Sequence, residues 1–317
     1  MPVDPVLLPF LPGPTIPDDV DFTALRAQEQ ASQAALIELA IEPGPEVAQR
    51  DIVTIPATGG SIEIVIYRPV LNELLPAHLY IHGGGWVGGS ALSAIVDITA
   101  RERTVGAHCV VVAVNYRKAP EHPFPIPLLD CQAALSWVVA HAEDYGVDRA
   151  SISVGGHSAG ANLAAALALK VRDEHGPDIA FLLLEVPALD LTLSLPSHSN
   201  PDLGTRYALH RSTMELVRRT YATSPIDAAD PYASPLLASD HSRLPPTYIM
   251  SAEYDLLRDD GVAYARKLRD HGVPVTFSLQ KGHVHHSSAL TKILPGARQW
   301  RDELINVLKN TGAADAG

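Results

Sequence analysis

The chain has 317 residues, a formal net charge of −12, 46% hydrophobic residues and two cysteines. That length holds one large α/β domain or two small ones, with a sizeable core either way. The acidic balance argues against nucleic acid and against an anionic membrane surface as partners, and two cysteines are too few for a disulfide framework.

Residues 1–17 are proline-rich and are expected to be irregular. They carry no basic n-region, so no signal peptide is read there, and no apolar run reaches the roughly 18 residues of a membrane span. A cytoplasmic location with two buried thiols, Cys109 and Cys131, is the expectation. Residues 18–42 read as helix, with Phe22, Leu25, Leu36, Ile37 and Leu39 near helical spacing. Asp51–Pro56 and Ile62–Tyr67 flank Thr58-Gly59-Gly60-Ser61 and read as a hairpin. A strand over Ala77–Ile81 ends at His82-Gly83-Gly84-Gly85-Trp86. Leu92–Gly106 reads as helix, Cys109–Tyr116 as a fully buried strand, and Leu128–Tyr145 as helix.

Next come a short buried strand at Ser151–Gly155, the segment Gly156-His157-Ser158-Ala159-Gly160, and a strong helix at Ala161–Lys170. Phe181–Val186, Thr247–Met250 and Val275–Leu279 read as further strands. Asp259–His271 and Gly296–Lys309 read as helices. Strands alternating with helices after an antiparallel start imply an α/β fold with a mostly parallel central sheet. The alternation breaks between Asp190 and Pro231, where only Arg211–Tyr221 reads as helix. So long an insertion suggests a lid or cap.

Two motifs carry the chemistry. Gly156–Gly160 is a G-x-S-x-G nucleophile elbow in the strand–turn–helix context it requires, which makes Ser158 the candidate nucleophile. The glycine run at 83–85 leaves backbone N–H groups unhindered, ready to donate to the oxyanion that serine attack on a carbonyl creates. A serine also needs a base and an orienting acid, in the order Ser, Asp or Glu, His. Asp255 follows the strand ending at Met250, with Glu253, Asp259 and Asp260 as competitors. Asp259 and Asp260 open a helix and read better as helix-end charges. Gly282-His283-Val284-His285-His286 follows the last strand and offers three histidines.

With these motifs the chain resembles the hormone-sensitive-lipase family of α/β-hydrolases, a group of bacterial carboxylesterases similar to arylacetamide deacetylase. The resemblance spans about residues 51–310. It rests on His82–Trp86, Tyr116–Pro125, Gly156–Ala164, Ala233–Leu237 and Asp255–Gly261. It implies an α/β-hydrolase core, read here over 46–189 and 231–317; residues 1–45 and 190–230, which lie outside the strand–helix alternation, are expected to form a helical cap. It also implies Asp255 as the acid, His285 as the base, and oxyanion donors at Gly84, Gly85 and Ala159. Trp86 and apolar cap side chains are expected to line a substrate pocket.

The chain departs from the family pattern in three places: His157 replaces an Asp, Ala161 a Gly, and His286-Ser287 a Gly-Phe. His157 adjoins the nucleophile and cannot aim at it, so a polar contact under the elbow is the reading. His82 reads as a residue orienting the glycine loop. A Cβ at His286 raises the question of whether the backbone there needs glycine. The three clustered histidines lack a Cys or acidic partner set for zinc, and no metal or organic cofactor is expected.

A serine carboxylesterase acting on short- to medium-chain esters through an acyl-enzyme is the function implied. The alternative is a non-hydrolytic, amide-cleaving or acyl-transferring relative on the same fold. The partner is a small-molecule ester, and the sequence leaves a homodimer open.

Overall fold

The computed structural model describes residues 2–13 and 15–311. Expectations touching Met1, Pro14 and residues 312–317 lie outside the described residues. The strands are β1 (Gln49–Ala57), β2 (Gly60–Arg68), β3 (Leu75–Ile81), β4 (Val110–Asn115), β5 (Val147–His157), β6 (Phe181–Glu185), β7 (Thr247–Tyr254) and β8 (Val275–Val284). The helices are α1 (Phe22–Ala40), α2 (Ala94–Ala107), α3 (Ile126–Ala140), α4 (Ala159–Asp173), α5 (Pro196–Ser199), α6 (Pro201–Thr205), α7 (Arg211–Tyr221), α8 (Pro225–Ala229), α9 (Arg258–Asp270) and α10 (Pro295–Thr311).

The eight strands form one sheet in the order β1-β2-β4-β3-β5-β6-β7-β8. β1, β2 and β4 pair antiparallel, and every pairing from β4 through β3 to β8 is parallel. This is the mostly parallel sheet expected from the alternation of strand and helix signals, in the α/β-hydrolase architecture that the resemblance implies. The chain passes from β3 outward to β4 and then back to β5 on the other side of β3. That reversal opens a crevice at the carboxyl end of β3, where ligands bind in open α/β sheets.

Alternating side chains on each strand serve two cores. Ile64, Ile66, Leu79, Ile81, Val112, Val114, Leu182, Leu184 and Ile249 face one side and pack with α3, α4 and α9. Their neighbours Val65, Tyr67, Tyr80, Val111, Ala113, Leu183 and Met250 face the other, under α2 and α10. Both faces are covered, which is why β4 and β6 read as unbroken apolar runs. Helix α4 contributes Ala164–Ala166 and Ala168, all buried, whose small side chains let it lie close against β5.

Several elements differ from the reading of the sequence. Strand β5 begins at Val147, four residues before Ser151, because Val147 pairs with Leu75 across a register shift. The polar pair Asp148-Arg149 hides that extension. Helix α3 accordingly stops at Ala140, and turns carry the chain to Gly146 at φ +58°. In the insertion, α7 spans the expected residues, but α5, α6 and α8 are added. Each starts with proline at its first position, where a missing N–H costs nothing.

Candidate active site

β5 delivers Ser158 at the crevice. Its backbone is held at φ 56°, ψ −117°, a conformation that non-glycine residues avoid. The glycines of the motif make that turn possible. A Cβ on Gly156 would stand 2.4 Å from the carbonyl oxygen of Ile81, and one on Gly160 only 2.0 Å from it. β3 and the elbow therefore touch backbone to backbone. The Ser158 N–H donates to Glu185 O at 2.8 Å, which ties the elbow to the end of β6.

The acid and base arrive from the ends of β7 and β8. His285 Nε2 lies 2.8 Å from Ser158 Oγ, and His285 Nδ1 lies 2.7 Å from Asp255 Oδ2. Asp255 Oδ1 accepts the Leu257 N–H at 3.0 Å, which fixes the carboxylate plane. All three side chains are buried. With Nδ1–H donated to Asp255, Nε2 is left as the acceptor for the serine proton.

The competing residues are engaged elsewhere. Asp259 accepts the Ser197 N–H, and Asp260 accepts the N–H groups of Leu189 and Asp190 and pairs with His198 at 2.6 Å. These bonds fasten the start of the insertion to α9. Glu253 accepts the Gly282 N–H at 2.8 Å. His283 Nδ1 bonds Ser287 Oγ at 2.8 Å, and its ring meets Trp300 edge-on, away from Ser158. His286 has φ −106°, an ordinary value for any residue, so its Cβ brings no backbone strain.

Among the described residues, the backbone N–H groups of Gly84, Gly85 and Ala159 have no backbone acceptor. Ala159 is the first residue of α4, where an N–H has no partner within the helix. Gly84 sits at φ +122° and Gly85 at φ +59°. Gly85 also lies against Val217 of α7, 3.1 Å from where its Cβ would be, so the insertion rests directly on this loop. His82 stacks on Tyr116, whose hydroxyl donates to His82 O at 3.1 Å, and His82 Nδ1 lies 2.7 Å from Gly83 O. Burial and the nearby Lys118 charge push His82 down to about 3, so it is a neutral strut for the loop.

Trp86 is 1% exposed, stacks on Tyr221 at 4.7 Å, and is not among the residues lining the large cavity described below. Its indole N–H donates to Asn162 Oδ1 at 3.3 Å. Asn162 was not singled out in the sequence. It also donates to Ala188 O and Ala233 O, at 2.7 and 2.8 Å, and so binds the elbow helix to the glycine loop, the end of β6 and the Ala233–Leu237 segment. Its place four residues after the nucleophile, on the same helix face, was the available signal.

His157 does make a polar contact under the elbow, with the backbone of His285. Burial first, and then the neighbouring His285, bring it to about 3. Gly83 must be small here, because its Cβ would lie 2.9 Å from His157 O and 3.1 Å from His157 Nδ1.

A cavity of about 490 Å³ opens beside these groups. Gly83, Gly84, His157 and His286 form its inner wall. Leu7, Phe10 and Leu36 of the N-terminal segment cover it, and Ile95, Ile98 and Leu304 of α2 and α10 line its depth. Arg26 of α1 donates to Val87 O, Ala119 O and both oxygens of Glu121, at 2.6 to 2.9 Å. Arg219 of α7 pairs with Asp18 at 2.7 Å, joining the two segments outside the core. Among the described residues, no helix is long and apolar enough to cross a membrane, and no group of three or more His, Cys, Asp or Glu could hold a metal ion.

Comparison with known proteins finds the fold and the family. A family model described as alpha/beta hydrolase fold matches residues 78–288. The chain is 38% identical over 250 residues to a carboxylesterase, NlhH, of Mycobacterium tuberculosis, covering 77% of this chain and 76% of that protein. It is 33% identical to an arylesterase of Saccharolobus solfataricus, covering 90% and 92%. Among solved structures, an esterase of Pyrobaculum calidifontis superposes with a TM-score of 0.90 at 36% identity, covering 99% of this chain and all of that one.

Proposed function

The chain belongs to the hormone-sensitive-lipase-like carboxylesterases of the α/β-hydrolase fold and hydrolyses carboxylic esters, and from that premise we propose that Ser158 is its nucleophile, His285 its base and Asp255 the acid that orients the base. One observation carries the assignment: the unbroken line of hydrogen bonds from Asp255 Oδ2 through the His285 ring to Ser158 Oγ, at 2.7 and 2.8 Å.

In the first half-reaction Ser158 Oγ attacks the ester carbonyl as His285 Nε2 takes its proton. The carbonyl oxygen becomes an oxyanion and is received by the N–H groups of Gly84, Gly85 and Ala159. These dipoles are already in place and need no reorganisation as charge develops. Asp255 steadies the imidazolium. His285 then hands its proton to the departing alcohol oxygen, leaving Ser158 acylated. A water, deprotonated by His285, attacks the acyl carbon; the bond from that carbon to Ser158 Oγ then breaks as His285 returns the proton to Oγ, and the carboxylic acid leaves the free enzyme. No metal or organic cofactor enters these steps.

Residues 1–45 and 190–230 are proposed as a helical cap on a hydrolase core of 46–189 and 231–317. The contacts of Leu7, Phe10, Leu36 and Val217 above the site support this. A cavity of this size and apolar lining fits short- to medium-chain esters. Two free, buried thiols, Cys109 and Cys131, support a cytoplasmic location.

The test is Ser158→Ala assayed on p-nitrophenyl acetate and butanoate. The expected loss in kcat is on the order of 10⁶ with an unchanged circular dichroism spectrum. Wild-type turnover in the purified variant would overturn the assignment.

A further inference from the structure

Glu185 sits where an apolar residue belongs. β6 is covered on both faces, and the side chains before Glu185, from Leu182 to Leu184, are buried hydrocarbon. Glu185 is 2% exposed and Arg103 of α2 is 4% exposed, and the two pair through Arg103 Nη2 and Glu185 Oε1. The guanidinium is braced on its other sides. It lies 4.2 Å over the Tyr80 ring, and its Nη1 is 3.4 Å from His78 Nε2. Burial, and then the Arg103 charge, push His78 well below the usual histidine range, so its ring is neutral. Ser153 Oγ donates to Ala77 O at 3.1 Å and lies 3.0 Å from His78 Nδ1, which leaves Nε2 as the acceptor facing Arg103. Arg103 thus ties α2 to β3, β5 and β6. A buried ion pair adds little net stability over hydrocarbon of the same volume, so stability alone does not account for it.

What the pair does fix is the peptide unit that follows. The Glu185 carbonyl accepts the Ser158 N–H at 2.8 Å, and the Val186 N–H of the same peptide donates to Met250 O of β7 at 2.7 Å. The backbone is strained on both sides of this link, at Ser158 with φ 56° and at the β-branched Val186 with φ 40°. Such conformations persist only where the surroundings over-determine them. Glu185 is also the register partner of His157, the residue before the nucleophile. A guanidinium that pins the Glu185 side chain keeps this peptide from rotating, and so keeps the Ser158 backbone in the turn that aims Oγ at His285.

Resting on the assignment of Ser158 above, we infer that Arg103 and Glu185 are positioning residues: their buried pair locks the peptide between Glu185 and Val186, and through it the strained elbow, in the geometry of attack.

The test is the double variant Arg103→Met/Glu185→Leu, which replaces both charges by hydrocarbon, beside Arg103→Lys, which keeps a charge pair. For each, the melting temperature, kcat and KM on p-nitrophenyl butanoate, and the rate of labelling by an aryl phosphonate are measured. Removing both charges together should leave the melting temperature within about 4 °C of the wild type. kcat and the labelling rate should fall together by about tenfold to a hundredfold, with KM within about twofold, because a displaced nucleophile still binds substrate but attacks slowly. Arg103→Lys should keep most of the wild-type rate. A double variant that folds with wild-type kcat and labelling rate, or that changes only in KM, overturns the inference. Should the double variant not fold, or melt far below the wild type, Arg103→Lys decides alone. One ammonium nitrogen cannot span Glu185 and His78 as two guanidinium nitrogens do, so kcat and labelling should fall about threefold at unchanged KM, and wild-type values overturn the inference. Turnover that persists in Ser158→Ala would instead overturn the nucleophile assignment, and this inference with it.

Discussion

At the scale of single residues, the site turns on which of three clustered histidines meets the serine. Strict strand alternation would put His283 and His285 on one face. The structure reaches the separation differently: β8 ends at Val284, and His285 lies in the turn beyond it. His283, still in the strand, points at Ser287 and Trp300. His285→Ala should therefore lose several orders of magnitude in kcat, and His283→Ala no more than about tenfold through loop packing. Steady-state kinetics of both variants on one activated ester checks this, and a dead His283 variant beside an active His285 variant would contradict it. The strained elbow serine and its two glycines were legible from five letters of sequence, because only backbone contact forces those glycines. The role of Asn162 was not, since its partners Trp86, Ala188 and Ala233 come from three other parts of the chain.

At the scale of elements, α1 is held over the glycine loop by one guanidinium. Arg26 satisfies two carbonyls and forms a two-pronged pair with Glu121. The Arg26 hydrogen bond pulls the Glu121 carboxyl from its ordinary 4.5 down to about 2. A folded-state value below the unfolded one means the pair stabilises the protein fully above pH 4.5. That contribution falls away as the pH drops from 4.5 towards 2. Glu121 is nearly half exposed, so the effect is small. Thermal melts of wild type and Glu121→Gln should differ by a small, constant amount from pH 7 to pH 5, and the gap should narrow steadily from pH 4.5 to pH 3. A gap that does not change with pH would contradict the account. The sequence announced α1 through its apolar spacing but not its partner, because Arg26 and Glu121 are 95 residues apart and their pairing depends on how the chain closes.

At the scale of the whole molecule, a mostly parallel sheet after an antiparallel start was readable in outline. Short unbroken apolar runs told buried strands from helices, and the glycine motifs marked the carboxyl ends of β3 and β5 as the place where the chemistry gathers. The cavity was not readable. Its cover comes from Leu7 and Phe10, its inner wall from His157 and His286, and its depth from α2 and α10. No local pattern records that these meet. Trp86 illustrates the same limit: its position beside the glycine run pointed to a pocket wall, whereas its ring stacks on Tyr221 in the core. What remains central is that one serine, activated by its setting, does the work. An aryl phosphonate ester reacts with such a serine and leaves a stable adduct. After labelling to complete loss of esterase activity and digestion with trypsin, mass spectrometry should find one adduct per chain, in the peptide Ala150–Lys170 and on Ser158. An adduct on another residue, or complete labelling of Ser158 with activity intact, would contradict the account.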